Sequence, residues 1–227
     1  MFFHQNHLQN IECTQYFVGD FDGKTFTTSQ KETKWVDYGT DNYAGVTYNN
    51  TPNGERIFLG WMSNWNYARD TPTTNWRSAM TLPRTLSLST IKGDYVLQSQ
   101  PVAQLDKQLS TDFSIEKIKL NKGANKTFTY SNLNQSKIQF KAENKNLKLV
   151  FSNDANDLLV LHYDAQNQTF AIDRTHSGKV DFEKSFGEKI HTTPTPNLIT
   201  KNIDFQIILD WSSIEIFFAK IGKSAFK

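Results

Sequence analysis

Val36-Asp37-Tyr38-Gly39-Thr40-Asp41-Asn42-Tyr43-Ala44, Leu59-Gly60-Trp61-Met62-Ser63-Asn64-Trp65-Asn66-Tyr67-Ala68 and Trp76-Arg77-Ser78-Ala79-Met80-Thr81-Leu82-Pro83-Arg84 are the dense parts of one stretch, residues 36–88. Trp61, Trp65 and Trp76 stand here among Tyr38, Tyr43 and Tyr67, with Asp37, Asp41 and several Gly and Pro between them. Ordinary cores favour Leu, Ile and Val. Rings interleaved with short polar side chains suit a wall that faces something flat and polar. A sugar is such a partner: its C–H face stacks on an aromatic ring while Asp and Asn take its hydroxyls.

The surrounding chain reads as strands. Tyr16–Val18 is a short aromatic strand that Asp20-Phe21-Asp22-Gly23 closes with a turn, and residues 24–27 begin a return strand. Residues 35–38 and 43–48 are further candidates, with Pro52-Asn53-Gly54 as a hairpin turn. Arg56–Met62 is a near-continuous apolar run, as in a strand covered on both faces. Residues 80–88 and 95–98 give two more, whereas residues 1–15 show no strand pattern. Pro101 to Leu109 has helical spacing: Val102, Leu105 and Leu109 fall at i, i+3 and i+7, and Pro101 suits the first helical position.

Beyond this helix the composition shifts to Lys, Asn, Ile and Phe, with Trp211 the one remaining Trp. Short alternating runs at 137–140, 146–151, 158–163, 169–172 and 205–218 suggest an antiparallel sandwich, its last hairpin turning at Asp210-Trp211-Ser212-Ser213. Lys-rich stretches such as 117–126 read as solvated strand faces. The sequence therefore predicts an all-β chain: residues 1–100 in antiparallel blades, 101–110 a linker helix and 111–227 a sandwich. Unpaired strand edges would make self-association possible.

Composition sets bounds. A chain of 227 residues holds one large or two small domains. Its net charge of +2 implies no nucleic-acid or anionic-membrane footprint. No run approaches the roughly 20 apolar residues that span a bilayer. Cys13 is the single cysteine, which excludes an internal disulfide framework and leaves the redox compartment open. No signal peptide is visible at the N-terminus, and sequons at Asn49, Asn125, Asn134 and Asn167 are weak evidence for secretion in an Asn-rich sequence. His4, His7, His162, His176 and His191 are scattered, with no metal-ligand spacing. No cofactor motif appears.

At the stretch quoted first, the sequence resembles glycoside hydrolase family 32, the invertases, inulinases and levanases. The family shows an Asp-Tyr-Gly/Asp-Phe-Tyr-Ala element, a Gly-Trp-Met-Ser-Asn-Trp element and a Pro-Thr…Trp-Arg…Leu-Pro-Arg element in this order, after a counterpart of Gln15-Tyr16-Phe17-Val18-Gly19-Asp20-Phe21-Asp22-Gly23. Further on, the likeness thins to Gln98-Ser99-Gln100-Pro101-Val102 and to Leu209-Asp210-Trp211-Ser212-Ser213-Ile214-Glu215-Ile216-Phe217. The resemblance implies the last blades of a five-bladed β-propeller followed by a truncated β-sandwich. It implies a β-fructofuranosidase-type hydrolase acting on sucrose, inulin or levan. Family members are often secreted; for this chain the location stays open.

The resemblance also frames what is missing. Retaining hydrolysis needs two carboxyl groups about 5 Å apart. The family's acidic motifs are Asn-Asp-Pro-Asn, Arg-Asp-Pro and Glu-Cys-Pro. The first has no match here. Arg69-Asp70 precedes Thr71, and Glu12-Cys13 precedes Thr14, too near Tyr16 to be the family's acid; a loop residue is the plainer reading of Glu12. No catalytic residue is therefore assigned, and the chain is expected to be a fragment, inactive alone. The alternative is a non-catalytic sandwich module that binds carbohydrate or a partner chain. Trp65 matches the family position that meets the sugar, with propeller core as the competing reading. Asn64, Asp37, Tyr43 and Trp61 are the further substrate-binding candidates. Trp61 also fits a core, Asp37 a turn cap for Tyr38-Gly39, and Asp41 a cap outright. Arg77 and Arg84 read as ion-pair or interblade contacts.

Overall fold

The computed structural model describes residues 2–5, 12–111 and 113–219. Along the first half run β1 (Phe2–Gln5), β2 (Glu12–Tyr16), β3 (Asp20–Phe21), β4 (Phe26–Thr27), β5 (Lys34–Trp35), β6 (Asp41–Thr47), β7 (Arg56–Met62), β8 (Ala79–Met80), β9 (Arg84–Ile91) and β10 (Asp94–Pro101). A 3-10 helix, Ala103–Gln108, follows. The second half holds β11 (Gln135–Glu143), β12 (Leu147–Ser152), β13 (Leu158–Asp164), β14 (Thr169–His176), α1 (Lys184–Gly187), β15 (His191–Pro194), β16 (Asn202–Asp210) and β17 (Ser213–Ala219). The chain is all-β, with blade-like antiparallel strands leading into a sandwich.

The first sheet is ordered β1-β2-β6-β7-β9-β10. It consists of two antiparallel groups joined by a two-residue parallel contact, Glu12 beside Asp41 and Cys13 beside Asn42. The meander β6-β7-β9-β10 closes its last hairpin with Lys92 and Gly93, both at positive φ, the turn that matches strand twist. Tyr16, Val36, Phe58 and Leu86 pack between the two groups.

Glycine explains how β6 and β7 approach. A methyl on Gly45 would lie 2.1 Å from the Phe58 ring, and one on Gly60 would lie 2.1 Å from Asn42 Oδ1. Gly60 is further pinned because Thr81 takes its N–H and donates to its carbonyl, at 3.0 and 2.9 Å. Gly60→Ala should therefore push the fully buried Asn42 off its bond to Asp37. The expected loss is about 1–3 kcal/mol in urea unfolding. An unchanged midpoint would show that the site relaxes freely.

The sandwich pairs a three-stranded sheet, β11-β16-β17, with a four-stranded one, β12-β13-β14-β15. Leu161, Tyr163 and Phe170 from the second meet Ile203, Phe205 and Ile207 from the first, and Ile91 of β9 joins the same core. An aromatic chain crosses it: Phe140 stacks on Phe205 at 4.8 Å, and Phe218 meets both Phe205 and Phe170 edge-on. The other face of the three-stranded sheet carries Gln206, Ile208, Glu215 and Phe217, all buried, toward the meander. The three-stranded sheet is thus a middle layer. That is why β16 is buried on both faces from Phe205 to Ile208.

Several sequence expectations are corrected. Strands do occur before residue 15, and Glu12 lies in β2 rather than in a loop. The strand expected at Tyr16–Val18 ends at Tyr16, because Gln30 and Thr28 side chains satisfy the Val18 N–H and carbonyl. The linker helix is of the 3-10 type, with i to i+3 bonds from Leu105 and Leu109. None of its residues is buried, so its apolar stripe has no surface to lengthen it into an α-helix. The stretch 117–126 is solvated but carries no strand. The one-turn helix α1, capped by the Glu183 carboxylate on the Ser185 N–H, had no clear sequence signal.

Candidate functional site: an aromatic wall held by two arginines

The loop after β7 builds the wall. Asn64 is buried; its carbonyl accepts the Tyr67 and Ala68 N–H groups at 3.1 and 2.8 Å, and its Oδ1 accepts the Asn66 N–H at 2.9 Å. Asn64 Nδ2 donates to the Thr40 carbonyl at 3.2 Å, tying this turn to the residues before β6. An Asx turn of this kind throws the next side chain outward. Trp65 is accordingly 52% exposed. Its ring lies 4.9 Å from that of Trp61, and Trp61 meets Tyr43 edge-on at 6.2 Å. Arg69 lies 5.9 Å from the Trp65 ring centroid.

The structure therefore brings Tyr43, Trp61 and Trp65 together as one surface. Trp61 is only half-buried and belongs to that surface rather than to a core. Asn64 lies beneath it. Asp37 is bound to β6 and β9 instead: Oδ1 accepts the Gly39 N–H at 2.6 Å, while Oδ2 accepts from Asn42 at 3.1 Å and pairs with Arg84. Burial alone would raise the Asp37 carboxyl, but the Arg84 charge and these donors outweigh it and hold it below the usual value. A carboxylate so held accepts hydrogen bonds and does not serve as a proton donor.

Arg84, 5% exposed, is the first of two arginines that fasten the wall to the sandwich. Besides Asp37 it binds Glu215 of β17 at 2.5 Å, and its guanidinium lies 5.1 Å from the Phe217 ring centroid. The second oxygen of Glu215 accepts the Leu82 N–H at 2.8 Å. Arg174 of β14 is the second, pairing with Asp41 at 3.2 Å. Asp41 is therefore not a turn cap; it opens β6 and accepts from the Tyr67 hydroxyl. Arg77 is exposed and donates to the Thr71 carbonyl and hydroxyl, so its expected ion pair or interblade contact is replaced by a loop contact. Among the described residues no cluster of three His, Cys, Asp or Glu side chains is arranged to hold a metal, and no helix is long and apolar enough to cross a membrane.

Glu215, Tyr67 and Arg174 escape local sequence reading. Their partners lie 131, 26 and 133 positions away.

His191 of β15 faces the second junction, its Nε2 buried without a partner. Burial, then the Arg174 charge, push its pKa below the usual value against the opposing pull of Asp41. The unfolded chain then binds the proton first as pH falls through about 6.5. Stability present above that value should decline on acidification until the folded-state pKa is passed. His191→Gln should flatten the fall in Tm between pH 8 and pH 5.5; an identical fall would remove His191 from that role.

Blade-like strands joined to a sandwich and bearing an exposed aromatic wall mark the architecture of a propeller-and-sandwich glycoside hydrolase. Residues 1–101 match the Glycosyl hydrolases family 32 N-terminal domain, and residues 98–223 match the Glycosyl hydrolases family 32 C terminal domain. The chain belongs to glycosyl hydrolase family 32. It is 34% identical over 221 residues to the extracellular exo-inulinase of Aspergillus awamori, covering 90% of this chain and 40% of that protein. With the levanase of Bacillus subtilis the identity is 32%, over 89% of this chain and 31% of that protein. The crystal structure of the A. awamori exo-inulinase superposes with a TM-score of 0.75 at 29% identity, over 96% of this chain and 44% of the other. A fructofuranosidase from Schwanniomyces occidentalis complexed with fructose gives 0.66 at 26% identity, over 91% and 45%. The chain thus spans less than half the length of these relatives.

Proposed function

We propose that the chain forms part of a β-fructofuranosidase-type hydrolase acting on sucrose, inulin or levan, in which it supplies the aromatic wall and the sandwich. Residues 1–100 are taken as propeller blades, 101–110 as the linker and 111–227 as the sandwich. The carrying observation is Trp65, half-exposed and backed by Trp61 and Tyr43. A fructosyl ring stacked there would bury C–H surface against the indole, while its hydroxyls face Tyr43 and the rim of the loop. Relatives named as inulinase and levanase, and a structural neighbour complexed with fructose, support the substrate class.

Bond cleavage needs a nucleophile on one side of the anomeric carbon and a proton donor on the leaving oxygen. Asp37 and Asp41 are each paired with an arginine, and the family's acidic motifs are not among these 227 residues. The chain alone is therefore expected to release no reducing sugar from sucrose or inulin. Mixed with a separately expressed N-terminal part of a related enzyme, it should gain turnover. Hydrolysis by the chain alone, abolished by changing Asp37, Asp41, Asp70 or Glu12, would overturn this reading. Inulin binding without turnover in the mixture would favour a non-catalytic carbohydrate-binding module.

A further inference from the structure

Arg174 sits in the sandwich, yet its whole guanidinium is spent on the other half of the molecule and on α1. Nη1 pairs with Asp41 at 3.2 Å, Nη2 meets the Tyr67 hydroxyl at 3.3 Å, and Nε donates to the Phe186 carbonyl at 3.1 Å. The guanidinium carbon lies 3.7 Å from the Phe186 ring centroid. The side chain is 13% exposed, so these contacts are shielded from water and salt. Such a fork, with all three nitrogens engaged and one face stacked, fixes direction as well as distance.

Tyr67 is what the fork holds. It is 4% exposed, edge-on to Phe186 at 5.2 Å and to Phe182 at 6.4 Å, and its hydroxyl donates to Asp41. Two residues earlier in the chain stands Trp65. Both stand in the tight turn in which the Tyr67 and Ala68 N–H groups bond to the Asn64 carbonyl. A turn so short transmits the position of one ring to the other. Only Tyr67 and Ala68 are buried in the run from Trp65 to Asp70. Beside the Asn64 bond to Thr40 and the Trp65–Trp61 ring contact, the buried Tyr67 is the loop's anchor to the sandwich.

We infer that Arg174 is a positioning residue: through Tyr67 the sandwich sets the orientation of the Trp65 loop and so presents the indole to the sugar. The sugar half of this inference rests on the function proposed above; the ordering of the loop does not. It gives the sandwich a part in recognition, through a residue that never touches the ligand.

The test uses the full 227-residue chain with Arg174→Met, Arg174→Lys and Tyr67→Phe. Amide hydrogen exchange is measured across the molecule, and inulin is titrated while tryptophan fluorescence is followed. In Arg174→Met the hydrogen-bonded amides of Tyr67, Ala68 and Asp70 should exchange about tenfold faster while those of β9 and β10 keep their rates. Inulin affinity should fall as well, by no more than that factor and in proportion to the ordered fraction of the loop, because only the ordered loop binds. Lysine keeps a charge for Asp41 but loses the stack and the Phe186 bond, so it should restore part of both. Tyr67→Phe retains the ring packing, loses the shared hydroxyl and should shift both readouts in the same direction by less. Wild-type exchange at the loop amides in Arg174→Met overturns the inference, as does a loosened loop with unchanged inulin affinity. If the wild-type chain itself binds no inulin, the sugar reading fails, and the exchange rates alone decide whether Arg174 orders the loop.

Discussion

Arg84→Met should be the most damaging single change in the molecule, costing about 3–5 kcal/mol. Arg84 is buried and divides its charge between Asp37 and Glu215. Removing it leaves two carboxylates in a low-dielectric junction with no counter-charge. Methionine fills much of the volume and keeps contact with the Phe217 ring, so the loss reports the ionic partners rather than a cavity. The pH dependence carries its own sign. In the wild type, Asp37 is held below its usual pKa, so its stabilising contribution is present above about 3.9 and is lost as pH falls through the folded value. In the variant, burial of Asp37 is opposed only by the Gly39 and Asn42 donors, so its pKa rises above the wild-type value and protonation relieves the strain. The stability gap between the two proteins should be widest near pH 7 and should close toward pH 4, measured by urea unfolding. A gap that stays constant with pH would mean that the two ion pairs contribute little.

Trp65→Ala carries the largest expected effect on function. In a mixture that hydrolyses fructosides, the variant should lower turnover by about tenfold or more while the Tm stays within a degree or two. The rate estimate corresponds to the loss of one stacking surface beyond ordinary burial. The Tm estimate follows from position: an indole 52% exposed contributes little to the fold, and Asn64 still closes the turn beneath it. An unchanged rate would remove Trp65 from the sugar site. A fold that collapses together with the rate would make Trp65 a packing residue whose exposure is incidental.

Local pattern carried much of this structure. The apolar run at Arg56–Met62 coincides with β7, and the last hairpin turns at Trp211 and Ser212 between β16 and β17 as its composition suggests. The wall was legible because aromatic rings among Asn, Asp and Gly depart from core composition. Reading failed where a partner far along the chain decides the outcome. β2 is completed by β1, β5 and β6 together, so its own five residues carry no clear alternation. β15 is recruited by β14 through four register pairs. The burial of Asn64 follows from the Thr40 carbonyl above it, which spacing alone does not disclose. Arg174 looks like any strand arginine until Asp41 and Tyr67 are placed beside it.

The Arg84 junction also imposes an order on biosynthesis. Arg84 and Glu215 are 131 positions apart, so the meander leaves the ribosome long before its second counter-charge exists. Strands β6 to β10 can pair by hairpin closure as they emerge, because each lies near its neighbour in the chain. Their arginine, however, must wait, solvated and half-matched by Asp37, until the β16–β17 hairpin arrives. The nascent blade is thus a provisional structure, and β17, made 131 positions after Arg84, is the strand that locks the first half in place.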